Sequence, residues 1–233
     1  MALSISKQNE ILLNSLRLKY EAASDKKKAL QKNQYFRNLF ESYGISNPDR
    51  RAIDKQVQRE INYKLLENDI KTIVKTAYQK KQREWQHFAM EIHFSSRKTW
   101  VENDLKTIEF MLVNKSWWDT VDYISSNSLG EFMKKRKEQQ VETFKKWRTS
   151  YNIWLRRASI LFQLKYKEKT DIDMLAKNII PSLSSNEFFL QKAIGWSLRQ
   201  YAKTDPNFVS NFVDEHDISG LARREALKHI NKS

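Results

Sequence analysis

The segment KSWWDTVD, residues 115–122, combines two adjacent tryptophans with two carboxylates. On a helix, Trp118 and Asp122 are four residues apart and therefore share a face. Such a face would place a large aromatic surface beside a carboxylate. A core tryptophan next to a solvent-exposed or capping aspartate is the structural alternative.

The segment NIWLRRASILFQLKYK, residues 152–167, contains two arginines with different surroundings. Arg156 falls on a polar stripe of the predicted helix, whereas Arg157 aligns with Trp154 and Leu161 on an apolar stripe. A guanidinium on an apolar stripe is costly unless it meets a carboxylate, a phosphate or another acceptor. Arg157 therefore needs a partner. A buried structural ion pair, or a side chain that extends to water, would also satisfy it.

The segment FFLQKAIGWSLRQYAKTDP, residues 188–206, places Gly195 beside Trp196 inside a helical pattern. A glycine inside a helix costs about 1 kcal/mol relative to alanine. Close packing against another helix, more than close approach of a ligand, would compensate for this cost. Trp196 is compatible with a core position as well as with a site.

Several other kinds of chemistry have no support in the sequence. The chain has no cysteine, and its glycines are isolated, so no phosphate-binding loop is present. No Gly-x-Ser-x-Gly motif occurs. The histidines show no metal-ligand spacing; they are His87, His93, His216 and His229. We expect neither a metal nor a cofactor.

The charge balance indicates a polyanionic partner. Lys and Arg outnumber Asp and Glu by 42 to 28, which gives a formal charge of +14. DNA, RNA and an anionic membrane surface would all attract such a chain. Basic residues alternate with aromatic ones at 35–53 and 133–148, as suits a surface that meets a sugar-phosphate backbone. For residues 134–137, a solvated lysine-rich helix is an equal alternative.

No stretch of the sequence resembles a targeting or membrane segment. The N-terminus lacks a charged start followed by an apolar run and a cleavage site. No apolar run approaches the ~20 residues that cross a bilayer. We therefore expect a soluble, cytoplasmic protein that does not contact membranes.

Apolar residues recur at spacings of three and four along nearly the whole chain, which predicts helices throughout and requires no strand. Gly44 is expected to end the second helix, and Asn47 with Pro48 to form a cap and first turn of the third. The predicted helices cover residues 8–20, 26–43, 48–66, 69–80, 82–94, 102–114, 116–125, 131–148, 152–167, 171–183, 186–203, 206–214 and 219–231.

The predicted connections are short and show no linker composition, which favours one domain over residues 1–233. No repeat of 33 or 34 residues is evident, so the degenerate HEAT-like class of about 40 residues fits best. We therefore predict an all-α fold of HEAT-like helical repeats stacked into a curved α-solenoid. A compact irregular bundle is the alternative.

The three segments described first, in this order and spacing, resemble the AlkD-type alkylpurine DNA glycosylases, a family of HEAT-like repeat proteins. GISNPDRRAI at 44–53, REWQHFAMEI at 83–92 and REALKHI at 224–230 extend the resemblance over essentially the whole chain. The resemblance implies that the residues of the catalytic cleft are Trp118, Asp122, Arg157 and Trp196. It also implies that the residues contacting DNA are Tyr35, Ser46, Asn47, Arg51 and Arg199.

By this resemblance the protein is a monofunctional glycosylase that excises N3- or N7-alkylated purines from double-stranded DNA, as a monomer and without a cofactor. Asp122 would stabilise the positive sugar and activate water, and the tryptophans would face the cationic nucleotide. Arg157 would hold a phosphate near the lesion and would also orient Asp122. A catalytically silent helical-repeat scaffold that binds DNA or another protein is the alternative function.

Overall fold

The computed structural model describes residues 6–65 and 69–230, and the regular secondary structure in these residues is helical, which confirms the predicted all-α class. The chain separates into two compact units, Met1–Thr107 and Ile108–Ser233. The single domain and the HEAT-like repeat stay predictions.

The α-helices are α1 (Lys7–Ala22), α2 (Lys26–Tyr35), α3 (Asn47–Glu60), α4 (Ile70–Gln79), α5 (Arg83–Ser95), α6 (Asp104–Val113), α7 (Trp118–Tyr123), α8 (Gly130–Lys134), α9 (Lys137–Trp147), α10 (Ile153–Leu161), α11 (Ile172–Ile179), α12 (Phe188–Tyr201), α13 (Pro206–Glu215) and α14 (Gly220–Ala226). Short 3₁₀ turns lie at Arg97–Thr99, Lys167–Lys169 and Ile180–Ser182.

In the N-terminal unit, helix α2 ends at Tyr35, so the predicted continuation to Tyr43 is wrong. Arg37 and Asn38 adopt left-handed backbone angles that turn the chain out of the helix. Residues of α5 hold the segment that follows: the Arg83 guanidinium lies 4.0 Å from the ring centre of Phe40. These long-range contacts outweigh the local preference for helix.

Gly44 does not end a helix but closes this same segment against the start of α2. Its φ is 84°, and a Cβ there would come within 2.7 Å of the backbone nitrogen of Ala29. The cap of α3 is also displaced from its predicted position, because the hydroxyl of Ser46, and not Asn47, accepts from the N–H of Asp49. Ser46 can act as the cap because its backbone is extended and immediately precedes the first helical residue.

In the C-terminal unit, residues 118–134 form one continuous helix, so the predicted break between residues 125 and 131 is wrong. Helices α7 and α8 are joined by a π-helical turn, Ile124–Leu129. Gly130 lies where a Cβ would come within 2.6 Å of the carbonyl oxygen of Phe162. The lack of a side chain therefore lets this helix pack closely against the end of α10.

The hydrophobic core of the C-terminal unit lies among α10, α11, α12, α13 and α14. Helices α12 and α14 cross closely at Gly195, where a Cβ would clash with Glu225 and come within 2.8 Å of the Ala222 carbonyl oxygen. Close helix packing, as predicted, explains this glycine.

Several other predicted helices end earlier than expected. Helix α3 ends at Glu60, α10 at Leu161 and α14 at Ala226, where 66, 167 and 231 were predicted. Residues 66 and 231 themselves lie outside the described residues. Across residues 6–65 and 69–230, no helix combines the length and apolarity that spanning a membrane requires.

Candidate functional site

A cavity of about 380 Å³ opens on the C-terminal unit, a volume within the usual range of ~300–1,000 Å³ for small-ligand sites. It brings together all four residues predicted for the cleft and one predicted DNA contact, Arg199. We call it the aromatic cavity. Its lining is Trp118, Asp122, Arg157, Phe188, Phe189, Lys192, Trp196 and Arg199.

Asp122 and Arg157 form a two-pronged ion pair at the base of this cavity. The Arg157 Nε donates to Asp122 Oδ1 at 2.7 Å, and Nη2 donates to Oδ2 at 2.9 Å. Nη1 donates to the backbone carbonyl of Phe189. Arg157 is 4% exposed, whereas the Asp122 side chain is 16% exposed and lines the cavity. Each guanidinium nitrogen thus has a protein acceptor, which favours orientation of Asp122 over direct binding of a phosphate.

The positions of these two side chains are set by the starts of the helices that carry them, α10 and α7. The Asn152 side chain accepts from the N–H groups of Trp154 and Leu155, which fixes the first turn of α10 and so the face that carries Arg157. Asp122 lies on the second turn of α7, one turn after Trp118, so the predicted shared face is present.

Burial raises the pKa of the Asp122 carboxyl above its ordinary value, and the negative charge of Asp119 adds to this effect. The hydrogen bonds and positive charge of Arg157 act in the opposite direction. The ion pair therefore partly offsets the effect of burial on this carboxylate. A charged carboxylate in such a cavity can stabilise a nearby positive charge strongly, because little water screens it.

The two adjacent tryptophans have different positions. Trp118 lines the aromatic cavity. The ring of Trp117 packs instead against Trp154, with ring centres 5.9 Å apart, and against Phe189, at 5.1 Å. Trp118 therefore supplies surface to the cavity, whereas Trp117 supports its wall.

Two cations on α12 also line the aromatic cavity and share one carboxylate. Lys192 Nζ lies 2.9 Å from Glu225 Oε1, and Arg199 Nη1 pairs with Glu225 Oε2. Glu225 reaches both because Gly195, midway between them, lets α14 come close. The pairs with Lys192 and Arg199 also lower the pKa of Glu225. Two positive charges thus share one negative charge, which leaves this part of the lining with a net positive charge.

The other predicted DNA contacts belong to the N-terminal unit and do not line the aromatic cavity. Tyr35 is 63% exposed at the end of α2. Ser46 and Asn47 are exposed at the start of α3, with the Ser46 hydroxyl also donating to Asp49. Arg51 is exposed and pairs with Glu91 at 2.9 Å.

Sequence reasoning did not identify Phe188, Phe189, Lys192 or Glu225 as parts of the site. Phe188 and Lys192 stand within a segment that it singled out, at spacings of eight and four residues before Trp196, so the helical repeat could have indicated them. Glu225 lies 33 residues from Lys192, and no local pattern indicates that pairing.

Within residues 6–65 and 69–230, no group of three or more His, Asp or Glu side chains is arranged to hold a metal ion.

Comparisons with known proteins identify a protein family and similar solved structures. Residues 16–230 match the protein family described as DNA alkylation repair enzyme. Among solved structures, a predicted DNA alkylation repair enzyme from Enterococcus faecalis is 31% identical, with a TM-score of 0.82 over 90% of this chain and 98% of that one. No functionally curated protein matches the chain.

Proposed function

We propose that this chain, which belongs to the family of DNA alkylation repair enzymes, is a monofunctional DNA glycosylase that excises N3- or N7-alkylated purines from double-stranded DNA. The observation that carries the proposal is the Asp122 carboxylate, fixed by Arg157 at the base of a cavity with aromatic walls. This arrangement suits a reaction in which positive charge moves onto a sugar.

An N3- or N7-alkylated purine already carries a positive charge. When its N-glycosidic bond breaks, the bonding electron pair goes to the base, which leaves as a neutral molecule without needing a strong acid. The positive charge moves to the sugar, as in other glycoside hydrolyses. Water then bonds to the sugar C1′ and releases a proton, so the products are an abasic site, a free base and a proton.

Asp122 faces the developing positive sugar and accepts the proton of the attacking water. A charge pair near 4 Å interacts by about 4 kcal/mol at an effective dielectric of ~20. If that attraction arises only in the transition state, it accelerates the reaction by roughly a thousandfold. Arg157 acts through Asp122 and is therefore a positioning residue, because its nitrogens are already bonded within the protein.

The walls of the aromatic cavity match the charge of the substrate. Trp118 and Trp196 present rings to the cationic nucleotide. Lys192 and Arg199, which share the single charge of Glu225, give the lining a net positive charge suited to the phosphate of the damaged nucleotide. Tyr35, Ser46, Asn47 and Arg51 are proposed as further DNA contacts in the N-terminal unit. As a monofunctional enzyme, the protein would leave the DNA strand uncut.

The direct test incubates the protein with duplex DNA that contains N7-methylguanine or N3-methyladenine and measures the free base released. We expect release of both bases and no strand cleavage before alkali treatment. Undamaged guanine, which is neutral, should stay attached because its bond lacks the activating charge.

The same assay separates the enzyme from a catalytically silent scaffold. A scaffold that binds DNA would release no base but would bind duplexes in a salt-dependent manner. A scaffold for another protein would show little DNA affinity even at low salt. Either result would overturn the proposed function.

A further inference from the structure

A second cavity of the C-terminal unit, of about 560 Å³, plays no part in the reaction proposed above. One carboxylate, Asp171, is among the residues that line it, and that carboxylate already accepts from the N–H of Met174 as the cap of α11. We call it the lysine cavity, because four lysines line it: Lys134, Lys137, Lys165 and Lys169.

Helix dipoles explain only part of this cluster. Lys134 ends α8, where a cation offsets the partial negative charge of the helix terminus. Lys137 is instead the first residue of α9, and Lys169 lies shortly before α11, and both of these helix starts disfavour a cation. Glu131, 3.2 Å from Lys134, offsets one of these positive charges, and an anion in the cavity would compensate for the remainder.

The lysines are partly held in place. Lys134 lies 5.3 Å from the ring centre of Tyr166, whose hydroxyl donates to the carbonyl of Gly130. Lys165 donates to Asn127 at 2.5 Å. The amide of Gln163, also in the lining, exchanges hydrogen bonds with the backbone of Asp171. The cavity therefore combines groups that hydrogen bonds hold in place with long lysine side chains. This combination suits contact with a chain of phosphate groups.

Both cavities are built on the same helices. Asp122 and Lys134 lie near opposite ends of the continuous helix 118–134, twelve residues and so roughly 18 Å apart along its axis. Likewise, Arg157 lies on α10 and Lys165 follows that helix. On a duplex whose axis is parallel to this helix, 18 Å corresponds to about five base pairs, because DNA rises about 3.4 Å per base pair.

We propose that the lysine cavity binds the phosphodiester backbone of the substrate DNA about five base pairs from the damaged nucleotide. The cavity itself is independent of the reaction, but the five-base-pair spacing rests on the proposed function, because it places the damaged nucleotide at Asp122. Phosphodiesters suit the site because lysines contact them as point charges without needing a base sequence.

The first test compares the double variant Lys134→Gln/Lys165→Gln with Lys177→Gln/Lys203→Gln. The control removes the same charge from exposed lysines outside both cavities. On undamaged duplex DNA, loss of two phosphate contacts should reduce the slope of log K against log salt by about 1.8. A fourfold rise in salt would then weaken the cavity variant about twelvefold less than the wild type. Equal slopes for the two double variants would overturn the proposal.

The second test varies the DNA instead of the protein. All duplexes have the same length. In each of them N7-methylguanine lies either three or eight base pairs from one chosen end, and both ends are tested. For the wild type, shortening one particular flank to three base pairs should raise the KM for base release roughly tenfold, while the opposite flank has less effect. The Lys134→Gln/Lys165→Gln variant should not distinguish these duplexes. A wild type that ignores flank length would contradict the spacing.

The two proposals can fail separately. If the wild type releases no base, the proposed function is lost, yet the salt dependence on undamaged DNA still decides whether the lysine cavity binds DNA. If tripolyphosphate raises the thermal stability of the wild type and not of Lys134→Gln/Lys165→Gln, while both double variants bind DNA alike, the cavity takes a small polyanion and the DNA proposal is wrong.

Discussion

Each compact unit contains a buried arginine paired with an aspartate, and the two pairs differ in what surrounds them. In the N-terminal unit, Arg50 is fully buried and pairs with Asp54 four residues later and with Glu91 at 2.8 Å. In the C-terminal unit, Arg157 and Asp122 form one bidentate pair whose carboxylate lines a cavity. Burial of an ion pair therefore does not by itself indicate a functional site.

The adjacent space distinguishes the pairs. The space beside Asp54 is about 130 Å³, and Phe88 is the one aromatic residue of its lining. The aromatic cavity is about 380 Å³ and has four aromatic residues in its lining. Only the larger falls within the usual size range of ligand sites. We infer that the Arg50 pair stabilises the fold, whereas the Arg157 pair serves the reaction.

The largest difference between the two ion pairs should appear in the rate of base release when Arg157 is replaced. Arg157→Ala should slow base release roughly a hundredfold, because Asp122 loses its fixed orientation. The pKa of Asp122 should also rise further, since Arg157 lowers it. Activity that needs the carboxylate is lost as pH falls through this pKa, so the acid limb of the pH–rate profile should shift to higher pH.

Two variants control this measurement. Arg157→Lys keeps the charge but not the bidentate geometry, and should shift the acid limb less. Arg156→Ala removes a neighbouring guanidinium that bonds to Pro181 and Ser182 outside the cavity, and should leave the pH profile in place. An unchanged profile for Arg157→Ala would show that Arg157 does not act through Asp122.

The Arg50 pair should affect stability instead. Asp54→Ala should reduce the free energy of unfolding at neutral pH by about 3 kcal/mol, near the lower end for a broken buried pair, because it removes the acceptor of Arg50 and Tyr20 while Glu91 still partners Arg50. Denaturant unfolding at pH 7 measures this loss. A free energy of unfolding equal to that of the wild type would show that the pair contributes little.

The Arg50 pair also predicts a pH dependence. Burial raises the pKa of Asp54 to about 6. The folded state then binds a proton more readily than the unfolded state between about pH 4 and 6. Proton binding by Asp54 therefore stabilises the folded state by about 2–3 kcal/mol below this window. This stabilisation is lost as pH rises through the window. The free energies of unfolding of the wild type and of Asp54→Asn are compared at several pH values. Their difference gives the contribution of Asp54 titration to stability.

The adjacent tryptophans offer a smaller contrast within one unit. Trp118→Leu should slow release of a cationic base about tenfold, near 1.4 kcal/mol, with little change in stability. Trp117→Leu should mainly lower the melting temperature, because that ring packs against Trp154 and Phe189. If the two variants had the opposite effects, Trp118 would be a packing residue.

Glu225 should give the smallest effect on the reaction. Glu225→Gln frees Lys192 and Arg199 from their shared carboxylate, so base release at saturating DNA should slow about threefold while binding to undamaged DNA is not weakened. Asp214→Asn is the charge-matched control, because Asp214 pairs with Arg223 at the exposed surface. Equal rates for Glu225→Gln and Asp214→Asn would show that the cations need no positioning.

The helical class and most helix positions could be predicted from the sequence, because a spacing of three and four is a local property. The need of Arg157 for a partner was also predictable from its apolar stripe. Asp122 lies 35 residues earlier, so the stripe did not identify it as the partner, and only the family resemblance indicated it. The same apolar-stripe reasoning applies to Arg50, which aligns with Val57 and was not singled out. A stripe alone therefore cannot separate a structural pair from a functional one.

Features decided by distant contacts were the ones that sequence reasoning missed. The end of α2 at Tyr35 depends on a loop that α5 holds. In that loop the N–H of Tyr43 and the hydroxyl of Ser42 both donate to the buried Glu84, some 40 residues later. The continuous helix 118–134 similarly depends on the close approach of Phe162 to Gly130. Neither contact leaves a periodic pattern.

The most direct measurement compares single-turnover release of N7-methylguanine by Asp122→Asn and Asp54→Asn, each corrected for its folded fraction. Both variants neutralise an aspartate paired with a buried arginine. We predict that Asp122→Asn is slowed roughly a thousandfold and that Asp54→Asn stays within about twofold of the wild type. Release by Asp122→Asn at the wild-type rate, or equal losses in both variants, would contradict the assignment of Asp122 to the reaction.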